Sequence, residues 1–327
     1  MHQLRVGVIG VGSMGLNHAR VYADMEEVQL LAVADSNAEI AQKVAKKYNA
    51  KAYADFRNLL DDETIEAVSI AVPTSMHKEV ALAALQKKKH VLLEKPIALT
   101  EQEAQEIIAC SIQNKVKLMI GHIERFNPAV RELKRRLHRG DLGQIYKIDV
   151  QRIGPFPVRI TDVGVITDLS VHDLDIISYL FGHEPVRLYA ETQQRLHPHH
   201  EDSVTALISY HNQALAVLNI NYLSPTKTRQ LKVFGKRGMF EVNYLTQDLY
   251  FYENKAFGSD DWNSVSQGDM TLINLPKKEP LQVEIEEFIQ CILQDTEPPV
   301  TGEQGLQILK LAHLLFQSAQ EKKIIYL

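Results

Sequence analysis

Val6-Gly7-Val8-Ile9-Gly10-Val11-Gly12-Ser13-Met14-Gly15 joins a strand pattern to a helix pattern through three glycines. An apolar strand pattern (Leu4, Val6, Val8, Ile9) runs into Gly10, Gly12 and Gly15 at G-x-G-x-x-G spacing. A helical pattern follows, with Leu16, Ala19, Val21 and Tyr22 as its apolar positions. In this motif one glycine permits a tight turn and the next lets backbone approach a pyrophosphate. The third lets the helix pack on the strand. The helix N-terminus then offers unpaired N–H groups and a positive dipole end to phosphate. Three glycines alone would also suit an ordinary strand–turn–helix. Here a second apolar strand, Val28 to Ala34, follows the helix and ends at Asp35. That position suits a carboxylate accepting hydrogen bonds from a ribose diol. The expectation is a dinucleotide held by Gly10, Gly12, Ser13, Met14, Gly15 and Asp35. Asp35 would repel a 2′-phosphate and Ser36-Asn37 brings no arginine to offset it, so NAD is expected rather than NADP.

The chain has 327 residues, long for one core and comfortable for two domains. A hydrophobic content of 45% and a charged content of 24% suit a globular protein. A formal net charge of -5 argues against a broad nucleic-acid surface. The basic cluster Lys134-Arg135-Arg136 falls within a helical pattern and reads as a solvated face. The two cysteines, Cys110 and Cys291, lie among apolar helix-periodic neighbours and suggest neither a disulfide framework nor a metal. No apolar run reaches membrane-spanning length, and a core strand begins almost at once, so the cytoplasm is the expected compartment.

Residues 1–122 alternate strand and helix signals. Strands are expected at Arg5–Ile9, Gln29–Ala34, Ala67–Ala71, His90–Leu93 and Lys117–Gly121. Ser36 with Glu39, and Thr100 with Glu103, look like capping boxes. This pattern gives a parallel, right-handedly wound α/β sheet, the Rossmann arrangement. Residues 123–327 differ. Helices are expected at Pro128–Leu137 and Asp168–Phe181, with a strand at Ile145–Ile153 between them. Consecutive strands follow at Val186–Gln194, Ser203–Tyr210, Ala214–Tyr222, Gln230–Phe234, Gly238–Tyr244 and Asp248–Tyr252. Helices at Leu281–Leu293 and Glu303–Glu321 close the chain. This second domain is expected to be α+β, with a large open, mainly antiparallel sheet. One sheet face then needs cover, and a homo-oligomer contact is the simplest cover. Lys255–Asp269 is the most irregular stretch and reads as a surface loop.

Three further elements fall where ligands sit in such sheets, beyond the carboxyl ends of the strands. Val72, Thr74 and His77 follow one strand; Thr74 could cap a helix or touch cofactor, and His77 could pack in the first turn or reach the ligand. Glu94-Lys95-Pro96 follows another. A lysine there can serve as a base where burial or a positive charge favours its neutral form, and its peptide bond to Pro96 could be cis. In the third, Asp168 and His172 stand at i and i+4, one helical turn apart, with Asp175 sharing their face. An Asp/His pair is also a common cap with a satisfied histidine. It could supply two metal ligands, but no third is evident and no metal is expected. The His-rich stretch Leu196–Asp202 invites a metal reading too, against which a solvated loop is preferred.

Together these motifs, in this order and at these separations, resemble the glucose-fructose oxidoreductase/inositol dehydrogenase/rhizopine-catabolism (Gfo/Idh/MocA) family over essentially the whole chain. The resemblance implies that Lys95, Asp168 and His172 contact the reacting sugar. A narrower likeness, to the UDP-N-acetylglucosamine 3-dehydrogenase branch, is carried by Gly121–Val130, Arg152–Arg159, Leu223–Lys227 and Tyr244–Tyr250. It implies a nucleotide-sugar substrate oxidised at its 3-hydroxyl, feeding 3-amino sugar synthesis. A diphosphate needs cations and donors, for which Arg125, Arg152, Arg159, Lys227 and Arg229 are candidates. Asn127 could bind sugar or simply begin the helix at Pro128. The expected catalyst pairs Lys95 with His172, either one as base, and Asp168 orients; the substrate contacts are Lys95, Arg125, Asn127, Arg159, Asp168 and His172. The cofactor contacts add Val72, Thr74, His77, Glu94 and Lys95 to the glycine loop and Asp35. Rival readings are a dehydrogenase of another sugar or polyol, and a non-catalytic sensor on the same scaffold.

Overall fold

The computed structural model describes residues 3–157, 163–254 and 268–327. The chain divides into two compact units, Met1–Ile123 with Leu281–Lys310, and Glu124–Pro280 with Leu311–Leu327.

In the first unit, elements alternate as expected. They are β1 (Leu4–Ile9), α1 (Ser13–Ala23), β2 (Val28–Ala34), α2 (Ala38–Tyr48), β3 (Lys51–Tyr53), α3 (Phe56–Leu60), β4 (Ala67–Ile70), α4 (His77–Gln86), β5 (His90–Glu94), α5 (Glu101–Asn114) and β6 (Leu118–Gly121). The strands form one parallel sheet in the order β3-β2-β1-β4-β5-β6. Strand order reverses between β1 and β4, which is where a doubly wound sheet opens its ligand crevice. β4 is buried along its whole length, as a strand covered on both faces must be. The short β3 and α3 escaped the sequence reading because three polar-flanked residues carry no periodicity. Thr100 and Glu103 form the expected capping box. The other box is different: the α2 cap is Asn37, whose side chain accepts from Glu39 N and Ile40 N, rather than Ser36.

The second unit begins with α6 (Pro128–His138) and β7 (Ile145–Ile153). One π-helical turn, Ile166–Ser170, leads into α7 (Val171–Phe181). The strands β8 (Pro185–Gln193), β9 (Ser203–Tyr210), β10 (Leu215–Asn221), β11 (Thr228–Gly235), β12 (Gly238–Asn243), β13 (Asp248–Glu253) and β14 (Met270–Ile273) follow. Further along the chain come α8 (Pro280–Leu293) and α9 (Gly302–Glu321), of which residues 281–310 belong to the first unit, and β15 (Ile325–Tyr326), which belongs to the second. The described strands of this unit make one open sheet in the order β14-β13-β12-β11-β7-β10-β9-β8-β15. Neighbours pair antiparallel except β7 with β10, which run parallel.

A division of the chain at 122/123 leaves out one feature. Residues 281–310 pack with the first unit: Ile120 N–H donates to Val300 O, Lys117 pairs with Asp295, and Gly302 and Gly305 lie close against Ile108 and Ile120. The helical periodicity of α8 is legible, but not which core receives it. Of the expected loop Lys255–Asp269, residues 255–267 lie outside the described residues.

Along β7 the inward positions are Ile148, Val150 and then Arg152, so an apolar stripe ends in a buried cation. Arg152 Nε and Nη2 meet the Asp173 carboxylate of α7 at 2.6 and 3.0 Å, and Nη1 reaches Glu124 at 3.1 Å. Burial opposes that charge, but the two carboxylates outweigh it and raise the arginine's pKa above its ordinary value. One step away, Arg125 holds Asp175 of the same helix through Nε and Nη2, at 2.6–3.0 Å. Two guanidiniums thus fix α7 through charge-assisted forks of fixed geometry. At the far end of α7, Lys134 donates to Tyr179 O, so the basic cluster of α6 is only in part a solvated face.

Candidate active site

In the first unit the glycine loop fits a dinucleotide on steric grounds. Gly10 has φ +81°, and a Cβ there would stand 2.7 Å from Ala71 O. A Cβ on Gly15 would stand 1.8 Å from the Gly10 carbonyl oxygen, so no side chain can exist at that position with the helix where it is. At Gly12, by contrast, an added Cβ meets nothing within 4 Å: the loop is open on that side. Gly12 and Ser13 are exposed and Met14 half-buried, and α1 has neither a side-chain cap nor an acidic residue in its first turn. Its leading N–H groups therefore have no capping side chain, as a site for pyrophosphate requires. Asp35 is fixed at the crevice: Oδ2 accepts Val11 N–H at 2.9 Å and Oδ1 accepts Asn37 N–H at 2.9 Å.

Lys95 follows β5, and its bond to Pro96 is cis. The preceding Glu94 is anchored from below. Its Oε1 accepts from His18 Nε2 at 3.0 Å and its Oε2 from the Lys95 N–H at 3.3 Å. The same imidazole meets the Ser69 hydroxyl at 3.1 Å through Nδ1, and that hydroxyl meets Tyr22 OH at 2.7 Å. Burial would raise the Glu94 carboxyl, but His18 and the Lys95 charge outweigh it and hold its pKa below the ordinary value. The sequence reading missed this chain. The available signal was His18, one turn after Gly15 on the inward side of α1, where a buried polar group demands partners.

His77 differs from the expectation of a cofactor contact. It is 1% exposed, and both ring nitrogens are taken by backbone: Nδ1 lies 2.8 Å from Pro96 O and Nε2 lies 3.1 Å from Val72 O. The ring lies between the loop after β4 and the loop after β5, and in its neutral form its one N–H donates to one of these two carbonyls. Burial, stronger than those two contacts, lowers its pKa. Thr74 is not a helix cap either; it opens the short 3-10 turn Thr74–Met76 before α4 and is half-buried.

In the second unit Asp168 lies inside the π turn rather than the first turn of a regular helix. Its Oδ2 accepts from Tyr222 OH at 2.5 Å, and Tyr222 closes β10 against the edge of Phe156. Asp168 and His172 are both half-buried, whereas Asp175 is buried on Arg125 and does not share their exposure. Glu201 fixes the entry to the turn, with its O accepting Val165 N–H and its Oε1 accepting Ile166 N–H. The His-rich loop before it is built on backbone capping. Asp202 Oδ2 accepts N–H groups of Arg195, Leu196 and His197, and the buried His197 accepts those of His199 and His200 through Nδ1. Among the described residues no cluster of three His, Cys, Asp or Glu is arranged to hold a metal ion.

Two proposed sugar contacts are corrected. Arg125 is neither a surface cation nor an open clamp: it is 7% exposed and forked onto Asp175. Asn127 is 1% exposed and caps α6 through Ala129 N while donating to Tyr244 O. Arg159 lies outside the described residues. Lys95 belongs to the first unit, Asp168 and His172 to the second.

Two outcomes are expected. Gly15→Ala will lower the melting temperature and abolish NADH binding in a fluorescence titration. Gly12→Ala will leave melting unchanged but weaken NADH binding, because its methyl enters only the open side; unchanged binding in both would contradict this loop geometry. Secondly, a lowered His77 pKa means that the unfolded chain binds more protons below its ordinary value of 6.5, so stability falls as pH drops through that value. Each such histidine contributes a slope of at most about 1.4 kcal/mol per pH unit. His90 is shifted the same way by burial. Denaturant titrations between pH 7 and 5 should therefore show a shallower slope in His77→Gln, with a remainder due to His90.

Comparison with known proteins agrees with this construction. Residues 4–122 match the NAD-binding Rossmann-fold model of the Gfo/Idh/MocA oxidoreductase family, and residues 134–327 match its C-terminal alpha/beta domain. The chain is 33% identical to UDP-N-acetylglucosamine 3-dehydrogenase of Acidithiobacillus ferrooxidans over 95% of this chain and 96% of that one. It is 24% identical to myo-inositol 2-dehydrogenase of Thermotoga maritima over 99% of this chain and 98% of that one. A solved structure of the Acidithiobacillus enzyme superposes with a TM-score of 0.87 at 31% identity, covering 98% of this chain and 99% of the other. No described helix is long and apolar enough to cross a membrane. The glycine loop, the Glu94-Lys95-Pro96 strand end, the Asp168/His172 turn and both family models make this chain a member of the Gfo/Idh/MocA family, an NAD-dependent sugar or polyol oxidoreductase.

Proposed function

We propose that the protein oxidises the 3-hydroxyl of UDP-N-acetylglucosamine, or a nucleotide sugar of that type, to the 3-keto sugar. The observation that carries this reading is the 33% identity to the Acidithiobacillus enzyme over nearly the whole of both chains. The presence of Lys95, Asp168 and His172 supports it, since binding alone would need no proton acceptor.

NAD, when bound against Gly10, Gly12, Ser13, Met14, Gly15 and Asp35, supplies the hydride acceptor. Val72, Thr74 and Glu94 belong to the same crevice in this reading. Lys95 takes the proton of the 3-hydroxyl as the carbon–hydrogen bond is lost as hydride; the ketone forms and the proton later leaves from the amine to water. His172 hydrogen-bonds the same hydroxyl or takes over as base. Asp168, kept in place by Tyr222, orients the sugar. The keto product is then a substrate for an aminotransferase that makes a 3-amino sugar. The likeness to inositol dehydrogenases supports a second reading, in which the substrate is a free polyol. A homo-oligomer joined through the outward side of the nine-stranded sheet belongs to the same proposal. Exposed Leu207 faces half-exposed Val217 there, and light scattering on Leu207→Lys should show a smaller assembly than the parent.

The test is turnover on a panel of UDP-N-acetylglucosamine, its uronate and inositols, with Lys95→Met alongside. UDP-N-acetylglucosamine should give the highest kcat/KM. Lys95→Met should lose turnover by about 10²- to 10⁴-fold with NAD binding intact. Equal turnover in that variant removes Lys95 from the chemistry, and preference for an inositol removes the nucleotide sugar.

A further inference from the structure

Among the described residues of the second unit, Lys227 and Arg229 are cations without an ion pair. Lys227 and Arg229 stand two residues apart where β11 begins, so they share one face. Arg229 lies directly opposite Arg152 of β7. One step further out, Lys227 lies opposite Gly154, with its Cγ 3.9 Å from where a Cβ on that glycine would be. Arg152 is already bound by Asp173 and Glu124. Among the described residues the side chains of Lys227 and Arg229 make no ion pair or hydrogen bond. Glu124, Asp173 and Asp168 act on Arg229 only at longer range, and the first two are committed to Arg152.

Like charges directly opposite in a sheet repel unless an anion lies between or above them. The strain registers on both groups. The Lys227 pKa is lowered, chiefly by Arg229, and the Arg229 pKa is lowered by burial and then by Arg152. A half-buried guanidinium beside a lysine, with neither in an ion pair among the described residues, is an arrangement that an anion would relieve.

Position specifies which anion. β10, β7 and β11 are neighbours in the sheet, and Tyr222, at the end of β10, holds Asp168. From Tyr222 across Gly154 to Lys227 is therefore two strand spacings, about 10 Å. A hexose carrying a phosphoryl group on its anomeric oxygen spans a similar length. The gap above Gly154 leaves room for the link between ring and phosphate.

We propose that Lys227 and Arg229, flanking the side-chain-free position at Gly154, form the subsite for the diphosphate of a nucleoside diphosphate sugar whose ring lies on Asp168. This rests on the nucleotide-sugar reading above and, of its candidate cations among the described residues, keeps these two. Arg229 supplies the forked donors and Lys227 the point charge. The same pair discriminates against neutral polyols, which give these charges nothing to bind.

Calorimetric titration of UDP into the full chain with NAD+ present, together with KM for UDP-N-acetylglucosamine, tests the assignment. Lys227→Met and Arg229→Met should each weaken UDP binding by about ten- to hundredfold, the scale of one charge-assisted hydrogen bond. KM should rise by a similar factor while kcat changes little, as for an interaction equally present in ground and transition states. Gly154→Leu should produce the same loss by filling the gap with both charges intact. Lys227 is exposed, so its variant should melt with the parent and decides the matter if Arg229→Met folds poorly. Unchanged UDP affinity in Lys227→Met overturns the subsite while leaving the substrate reading in place. A parent protein that neither binds UDP nor oxidises UDP-N-acetylglucosamine overturns both.

Discussion

The approach of Gly15 to the carbonyl of Gly10 governs the first unit. With 1.8 Å between that oxygen and any added methyl carbon, α1 can lie against the end of β1 only as this sequence permits. That contact brings the helix N-terminus to the sheet edge, and three cross-links hold the rest of the edge. Asp35, at the end of β2, accepts from Val11 beyond β1; His77 lies between the loops after β4 and β5 and bonds to one of them; and His18 reaches from α1 to Glu94 with Ser69 of β4 on its other nitrogen. Each tie satisfies a buried polar group that would otherwise cost about 1–3 kcal/mol. All three ties lie along the ends of the parallel strands, around the point where strand order reverses.

The second unit solves a different problem. Its sheet core is apolar until the last inward position of β7, where Arg152 brings a charge into the interior. Asp173 and Asp175 balance Arg152 and Arg125, and both lie on the helix that begins beside Asp168 and His172. The buried carboxylates of this helix fix it, while Asp168 of the preceding π turn and His172 of its first turn are only half-buried. The π turn makes this separation possible, because its wider winding moves Asp168 off the line that an uninterrupted helix would set.

Sequence reading reached the parts of this design that are local. The glycine spacing, the strand–helix alternation, the Thr100–Glu103 box and the run of antiparallel strands all depend on residues near one another. What it missed is non-local. Nothing in the spacing of Arg125 and Asp175, 50 residues apart, or of Arg152 and Asp173, 21 apart, marks them as partners. Hence Arg125 reads as a substrate contact and Asn127 as a possible sugar ligand, although both are interior. The packing of 281–310 with the first unit is of the same kind, since helical periodicity gives a face but not its recipient. The π turn was hidden because one extra residue in a turn leaves an apolar pattern almost unchanged. His77 was half legible: its position was right, but two backbone carbonyls flank its ring.

In the proposed reaction the hydrogen on C3 of a UDP-linked N-acetylhexosamine leaves as hydride to the nicotinamide. The most direct measurement uses UDP-N-acetylglucosamine deuterated at C3, with mass spectrometry of the reduced nicotinamide after turnover. The label should be found on the cofactor, with a slowed rate wherever the transfer step limits turnover. Reduced cofactor without deuterium would mean that a different carbon is oxidised, and no reduced cofactor at all would mean that this sugar is not the substrate.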